Sequence, residues 1–104
     1  MRGEIWLVNL DATVGSGIQK ARPCVVVSPG EMHDHLRTVI VAPMHSKSQP
    51  APFRIGGTHG GKKGLILLDQ MRTVDKTRLE KKLGAVSAKP LTATLTILRE
   101  VFTD

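Results

Sequence analysis

The stretch Thr38-Val39-Ile40-Val41-Ala42-Pro43 decides how the rest of this chain is read. Val39, Ile40 and Val41 are β-branched in succession, which restricts their rotation in a helix and suits a pleated strand. Proline cannot donate to a strand ladder, so Pro43 is expected to end the strand at Ala42 unless it stands at an edge or a bulge. Immediately upstream, Val25 to Ser28 completes a second strand, closed by Pro29-Gly30. Pro23 biases Arg22 toward extended geometry and thereby limits how that side chain leaves the backbone. Between the two strands, Glu31 to Leu36 reads as one short helical turn or an irregular connection.

Farther out, Ile5 to Leu10 is a first strand whose apolar residues do not strictly alternate, which suits a small closed core better than a two-faced sheet. Asp11 to Lys20, with Gly15, Ser16 and Gly17, is a loop. Downstream, Pro50 and Pro52 delimit a stiff approach to Phe53, Arg54 and Ile55, an expected edge strand. Gly56-Gly57-Thr58-His59-Gly60-Gly61 lacks the spacing of a phosphate-binding loop and reads as a turn or flexible hairpin tip. Leu65 to Leu68 is the most continuous apolar strand and runs into Asp69-Gln70-Met71-Arg72-Thr73. Asp75 to Lys81 suggests a turn or short helical segment, and Leu83 to Val86 a last extended piece. Ser87 suits the N-cap of a final helix with Pro90 in its first turn. Leu91, Leu95, Leu98 and Phe102 recur at helical spacing and are expected to form one core-facing stripe. The sum is mainly β with a C-terminal helix, a small, strongly curved and partly open barrel.

At 104 residues the chain accommodates a single domain, residues 1–104, and makes doubly wound sheets and (β/α)₈ barrels improbable. Its 40% hydrophobic and 23% charged residues describe an ordinary globular domain. The net charge of +6 favours anionic partners, and residues 51–104 hold most of the excess: ten Lys or Arg against five Asp or Glu. The one cysteine, Cys24, excludes an intrachain disulfide and lies in an apolar run, as a core thiol does. No apolar signal segment follows the N-terminus, and Ile5 to Leu10 is too short to span a bilayer, so cytoplasmic residence without a membrane partner is expected.

His33 and His35 are the only close histidine pair, and HExxH, CxxC and GxSxG patterns are all missing, so metal and acyl-transfer chemistry recede. RNA carries its own 2′-hydroxyl nucleophile. Its scission needs a base for that hydroxyl, a donor or cation for the crowded phosphate and an acid for the departing 5′-oxygen, without a metal being strictly required. Arg22 offers a guanidinium fork, His45 an imidazole that exchanges protons near neutral pH, and Ser46 a hydroxyl donor. Periodicity does not establish that the three meet in space.

Several segments in order resemble the MazF/PemK family of bacterial toxin endoribonucleases. They are Ile5 to Leu10, Thr13 with Gly15-Ser16, Arg22-Pro23 continuing through Ser28, Thr38 to Pro43, and Leu67 to Lys76 with Arg78-Leu79, so the likeness covers nearly the whole chain. The resemblance implies an SH3-like barrel that pairs as a homodimer and cuts single-stranded RNA at short motifs without a metal or other cofactor, often leaving a 2′,3′-cyclic phosphate. It also implies a cognate acidic antitoxin that occludes the RNA groove.

Carried over residue by residue, the likeness places Arg22 at the scissile phosphate. His45, with Ser46 beside it, falls where the family usually has threonine. His45 is then a candidate base for the 2′-proton, and Ser46 a replacement hydroxyl. Gly17, Lys20, Phe53, Arg54, Gln70 and Arg72 form the expected RNA-contacting set, with Asp69 in structural support and Arg72 as its natural partner. Gly17 stands where relatives commonly have an acidic residue, and Ala21 where a bulkier one often precedes the arginine. Two rival readings keep the fold: an RNA- or antitoxin-binding module that has lost cleavage through the His45 change, and a gyrase-directed toxin resembling CcdB, against which the Arg22-Pro23 motif argues.

Overall fold

In the computed structural model, which describes residues 1–10 and 21–103, the strand around Val39 is longer than its proline suggests and runs Thr38–His45. Pro43 does not end it. One edge of the strand pairs with two different segments, Arg72–Asp75 through Val41–Arg72 and Lys62–Leu67 from Met44–Ile66 onward. Pro43 falls between these two ladders, at a point of the edge where no N–H is required.

In chain order the strands are β1 (Glu4–Asn9), β2 (Ala21–Val26), β3 (Thr38–His45), β4 (Arg54–His59), β5 (Lys62–Leu67), β6 (Arg72–Asp75) and β7 (Leu79–Ala85), with helices α1 (Gly30–His35) and α2 (Ala88–Val101). The sheet order is β4-β5-β3-β2-β1-β7, with β6 added on β3. Every pairing is antiparallel, and the sheet curls into a half-barrel whose β1–β7 pairing shifts register twice. The mainly-β fold with a C-terminal helix agrees with the sequence reading. The expected loop from Asp11 to Lys20 lies outside the described residues. The glycine-rich segment is more ordered than a flexible tip: Gly56 to His59 belong to β4, and only Gly60 and Gly61 turn the chain, at φ 59° and 78°. Positive φ at both central residues defines the tight hairpin turn that glycine favours.

The continuous apolar runs are explained by burial on both faces of the sheet. Val25, Val27, Ala42 and Met44 join Ile5, Ile66, Leu68 and Val86 in one cluster, covered by Leu91, Ile97 and Leu98 of α2. The alternate residues Cys24, Val26, Val39 and Val41 join Val8 and Val74 in the second, against Trp6, Leu10 and Leu79. Each fully buried valine or isoleucine contributes about 1.5–3 kcal/mol relative to exposure. The α2 stripe is shorter than its spacing predicts: Thr94 is the fully buried residue, whereas Phe102 caps the helix and is 75% exposed. Ser87 occupies the N-cap position, but its hydroxyl makes no capping bond.

α1 is fixed by a buried polar contact rather than by apolar area. Ser28 Oγ lies 2.6 Å from His33 Nε2 and also accepts the Ile40 N–H at 3.0 Å, so the helix is tied to both β3 and the end of β2. The Lys76 ammonium donates to the His33 carbonyl. His33 Nδ1 is buried with no partner among the described residues, and burial lowers the pKa of this imidazole, reinforced by the N-terminus and Lys76 and opposed by Asp34. An imidazole whose folded pKa is lowered binds fewer protons folded than unfolded, so stability is retained above the ordinary histidine pKa and lost as pH falls below it. Thermal melts between pH 7.5 and 5.5 are therefore expected to show a steeper fall in Tm for the unmodified protein than for His33→Gln; parallel slopes would contradict this role.

Candidate functional site

The last residue pair of the β2–β3 ladder is Cys24–Pro43. Two residues farther along each strand stand Arg22 and His45, on the same face by the alternation of strand side chains. Beyond the last pair the strands open, and the β4–β5 hairpin closes the far side. The resulting cavity of about 270 Å³ is lined from β2 by Arg22 and Pro23, and from β3 and the following turn by Met44, His45 and Ser46. The hairpin contributes His59, Lys62, Lys63 and Gly64.

Three of the residues singled out by sequence, Arg22, His45 and Ser46, are thus brought together. Arg22 and Ser46 are exposed, and His45 is half-buried. The turn after β3 orients the His45 ring: the Lys47 backbone N–H donates to His45 Nδ1 at 3.1 Å. With that nitrogen accepting, the neutral ring carries its proton on Nε2 and offers a donor. Acting as a base through Nε2 would require the other tautomer and loss of the Lys47 bond.

Among the described residues, Arg22, Lys62 and Lys63 supply three cations, and no Asp or Glu belongs to the cavity lining. Guanidinium, ammonium, imidazole N–H and hydroxyl groups all donate, which suits an anion such as a phosphodiester. Cys24 lies directly below Arg22 but is not a nucleophile. Burial pushes its thiol pKa up to about 12 against the opposing fields of Arg22 and Arg72, and its S–H faces the Arg22 carbonyl at 3.6 Å. Among the described residues, no group of three or more His, Cys, Asp or Glu is placed to hold a metal ion.

The other expected site residues are distributed differently. Gly17 and Lys20 lie outside the described residues. Asp69 does not take Arg72 as its partner; Arg54 reaches it with two parallel bonds, Nε to Oδ1 at 3.2 Å and Nη2 to Oδ2 at 3.1 Å. Arg54 also donates to the Gln49 carbonyl at 2.9 Å, so its fork joins the approach to β4 to the turn after β5. The hydrogen bond from Arg54 is the main cause of the lowered Asp69 pKa. Arg72 instead stands opposite Val41 at the start of β6. Phe53, Gln70 and Arg72 are exposed and do not line the cavity.

Sequence reasoning missed His59, Lys62 and Lys63 as companions of Arg22. The available signal was the glycine pair: a two-residue turn at Gly60-Gly61 sets His59 opposite Lys62 and Thr58 opposite Lys63. Gly64 matters by proximity, because a Cβ there would lie 3.4 Å from the His45 carbonyl oxygen and 3.8 Å from Ser46 Cα. A lone methyl fits at those distances, but further branching displaces the His45–Ser46 backbone. Gly64→Ala is expected to leave stability nearly unchanged, and Gly64→Val to lower it by about 1–3 kcal/mol in denaturant unfolding. Equal stability of the two variants would contradict this packing.

The family described as "PemK-like, MazF-like toxin of type II toxin-antitoxin system" matches residues 1–102. The chain is 37% identical over 91 residues to Endoribonuclease PemK of Escherichia coli, covering 82% of this chain and 68% of that protein. It is 31% identical over 101 residues to Endoribonuclease MazF of Staphylococcus saprophyticus, covering 86% and 80%. Among solved structures, an endoribonuclease in complex with its cognate antitoxin from a mycobacterial species superposes with a TM-score of 0.80 at 20% identity, covering 96% of this chain and 91% of that one. MazF from Deinococcus radiodurans superposes with a TM-score of 0.78 at 22% identity, covering 96% and 93%. These superpositions establish the shared fold.

Proposed function

The chain belongs to the PemK-like, MazF-like toxin family of type II toxin–antitoxin systems, and on that premise we propose that it is an endoribonuclease that cuts single-stranded RNA without a metal ion. The observation that carries this reading is the convergence of Arg22, His45 and Ser46 on one cavity whose lining, among the described residues, holds cations and no carboxylate. The relatives named above as endoribonucleases supply the reaction class, and the antitoxin complex of the mycobacterial relative supports a cognate antitoxin as partner.

The chemistry follows from the substrate. The 2′-oxygen attacks the adjacent phosphorus, the bond to the 5′-oxygen breaks, and the product ends are a 2′,3′-cyclic phosphate and a 5′-hydroxyl. Charge accumulates on the non-bridging oxygens as the phosphorus becomes five-coordinate. The Arg22 fork, the Nε2–H of His45 and the Ser46 hydroxyl are donors suited to that charge. Lys62 and Lys63 extend the positive surface along the hairpin and favour the flanking phosphates. A homodimer acting in the cytoplasm and selecting short sequence motifs completes the proposal.

Incubation of a long mixed-sequence single-stranded RNA with the protein in EDTA tests this reading, with cut ends mapped. Defined cuts leaving cyclic phosphate are expected. Arg22→Ala should slow cleavage by about 100-fold or more, the scale of losing a preorganised transition-state donor. RNA bound but left intact by a folded protein would favour a non-catalytic binding module, and cleavage appearing only on addition of a divalent ion would overturn the metal-free mechanism.

A further inference from the structure

RNA cleavage at this cavity requires a group that removes the 2′-proton, and the lining residues differ sharply in their ability to do so. Arg22 remains protonated, and the ammonium groups of Lys62 and Lys63 are donors without a lone pair to offer. The Ser46 hydroxyl is a donor or a weak acceptor. In its neutral form His45 has its one basic nitrogen occupied by the Lys47 N–H, so the nitrogen left toward the cavity carries a hydrogen. Among the described residues, nothing restrains His59 in this way. It ends β4 opposite Lys62, is half-buried, and among the described residues none hydrogen-bonds its ring. Its position is set by the tight turn at Gly60 and Gly61, both at positive φ, which leads directly back into Lys62 and Lys63.

We propose that His59 is a catalytic residue, the general base that takes the 2′-hydroxyl proton, an assignment that rests on the endoribonuclease reading. A ring nitrogen of His59 accepts the proton as the bond from the 2′-oxygen to phosphorus forms. The bond from phosphorus to the 5′-oxygen breaks, water protonates that oxygen, and His59 returns its proton to solvent. Arg22 and the Nε2–H of His45 hold the non-bridging oxygens throughout. The two histidines therefore divide the work: His45 stabilises charge and His59 moves the proton. A histidine base also makes the rate depend on pH, because only the neutral ring accepts the proton.

The test is single-turnover cleavage of one mapped RNA site from pH 5 to 9 by the unmodified protein, His59→Gln, His59→Ala and His45→Gln, with each fold confirmed by circular dichroism and melting. The unmodified protein is expected to gain rate with pH through the imidazole range. His59→Gln should lose about 100-fold or more and flatten that limb, and added imidazole should restore part of the rate of His59→Ala. His45→Gln, which keeps an N–H donor, should retain the limb whatever its rate. A limb that persists in His59→Gln, or one abolished by His45→Gln alone, overturns the assignment while leaving the endoribonuclease reading intact. A folded unmodified protein that cuts no RNA overturns both.

Discussion

One edge of β3 serves two partners, and the rest of the molecule is arranged around that division. The N-terminal part of the strand pairs with β6 and its last residues with β5, while the opposite edge pairs with β2. A buried strand ordinarily needs a donor at every residue that faces a neighbour, so a proline inside it would be costly. Here Pro43 occupies the gap between the two ladders, where the edge changes partner. The same change lets the β4–β5 hairpin swing past the end of β3. The space between the hairpin and the start of β2 is the cavity. A strand that ended at Ala42, as its sequence suggests, would leave His45 on a loop and the cavity without a wall.

This arrangement shows why the fold was more legible than the site. Strand runs such as Val25 to Ser28 and Val39 to Ala42 announce themselves through β-branched, doubly buried residues, and α2 through its spacing of Leu91 and Leu98. Arg22 and His45 come together only because the β2–β3 ladder ends at Cys24–Pro43, two residues short of each, and a register is a property of the assembled sheet. Asp69 illustrates the same limit. Arg72 is its near neighbour in sequence, but the turn after β5 aims the carboxylate at Arg54 across the start of β4. Phe102 keeps the helical spacing of the α2 stripe yet lies past the sheet that would cover it, with Thr94 buried instead. Local pattern fixes which residues share a face, but not where the covering surface stops.

The electrostatics of the cavity follow from the same placement. Strand β2 delivers Arg22 to the surface and, two residues on, buries Cys24, so one short segment provides an exposed cation and an inert thiol. The carboxylate of Asp69, which would repel a phosphate, is neutralised by Arg54 and does not line the cavity. The Lys47 N–H fixes the tautomer of His45. In the proposed reaction His45 is thus an oriented donor for the phosphate, and His59 on the hairpin takes the proton. A donor-rich cavity with a second imidazole in its lining is a coherent arrangement for cleaving a substrate that carries its own nucleophile.

The most direct measurement is a crystal structure of the protein bound to a short RNA in which the nucleotide before the mapped cut carries a 2′-deoxy sugar, so that the nucleophile is missing and the substrate survives. The account predicts that the scissile phosphate sits in the cavity with non-bridging oxygens at hydrogen-bond distance, roughly 2.7–3.2 Å, from the Arg22 guanidinium and His45 Nε2, and that the His59 ring faces the 2′ position. A phosphate seated elsewhere, such as beside Arg72 or on the Arg54–Asp69 turn, with Arg22 and His45 left free, would contradict it.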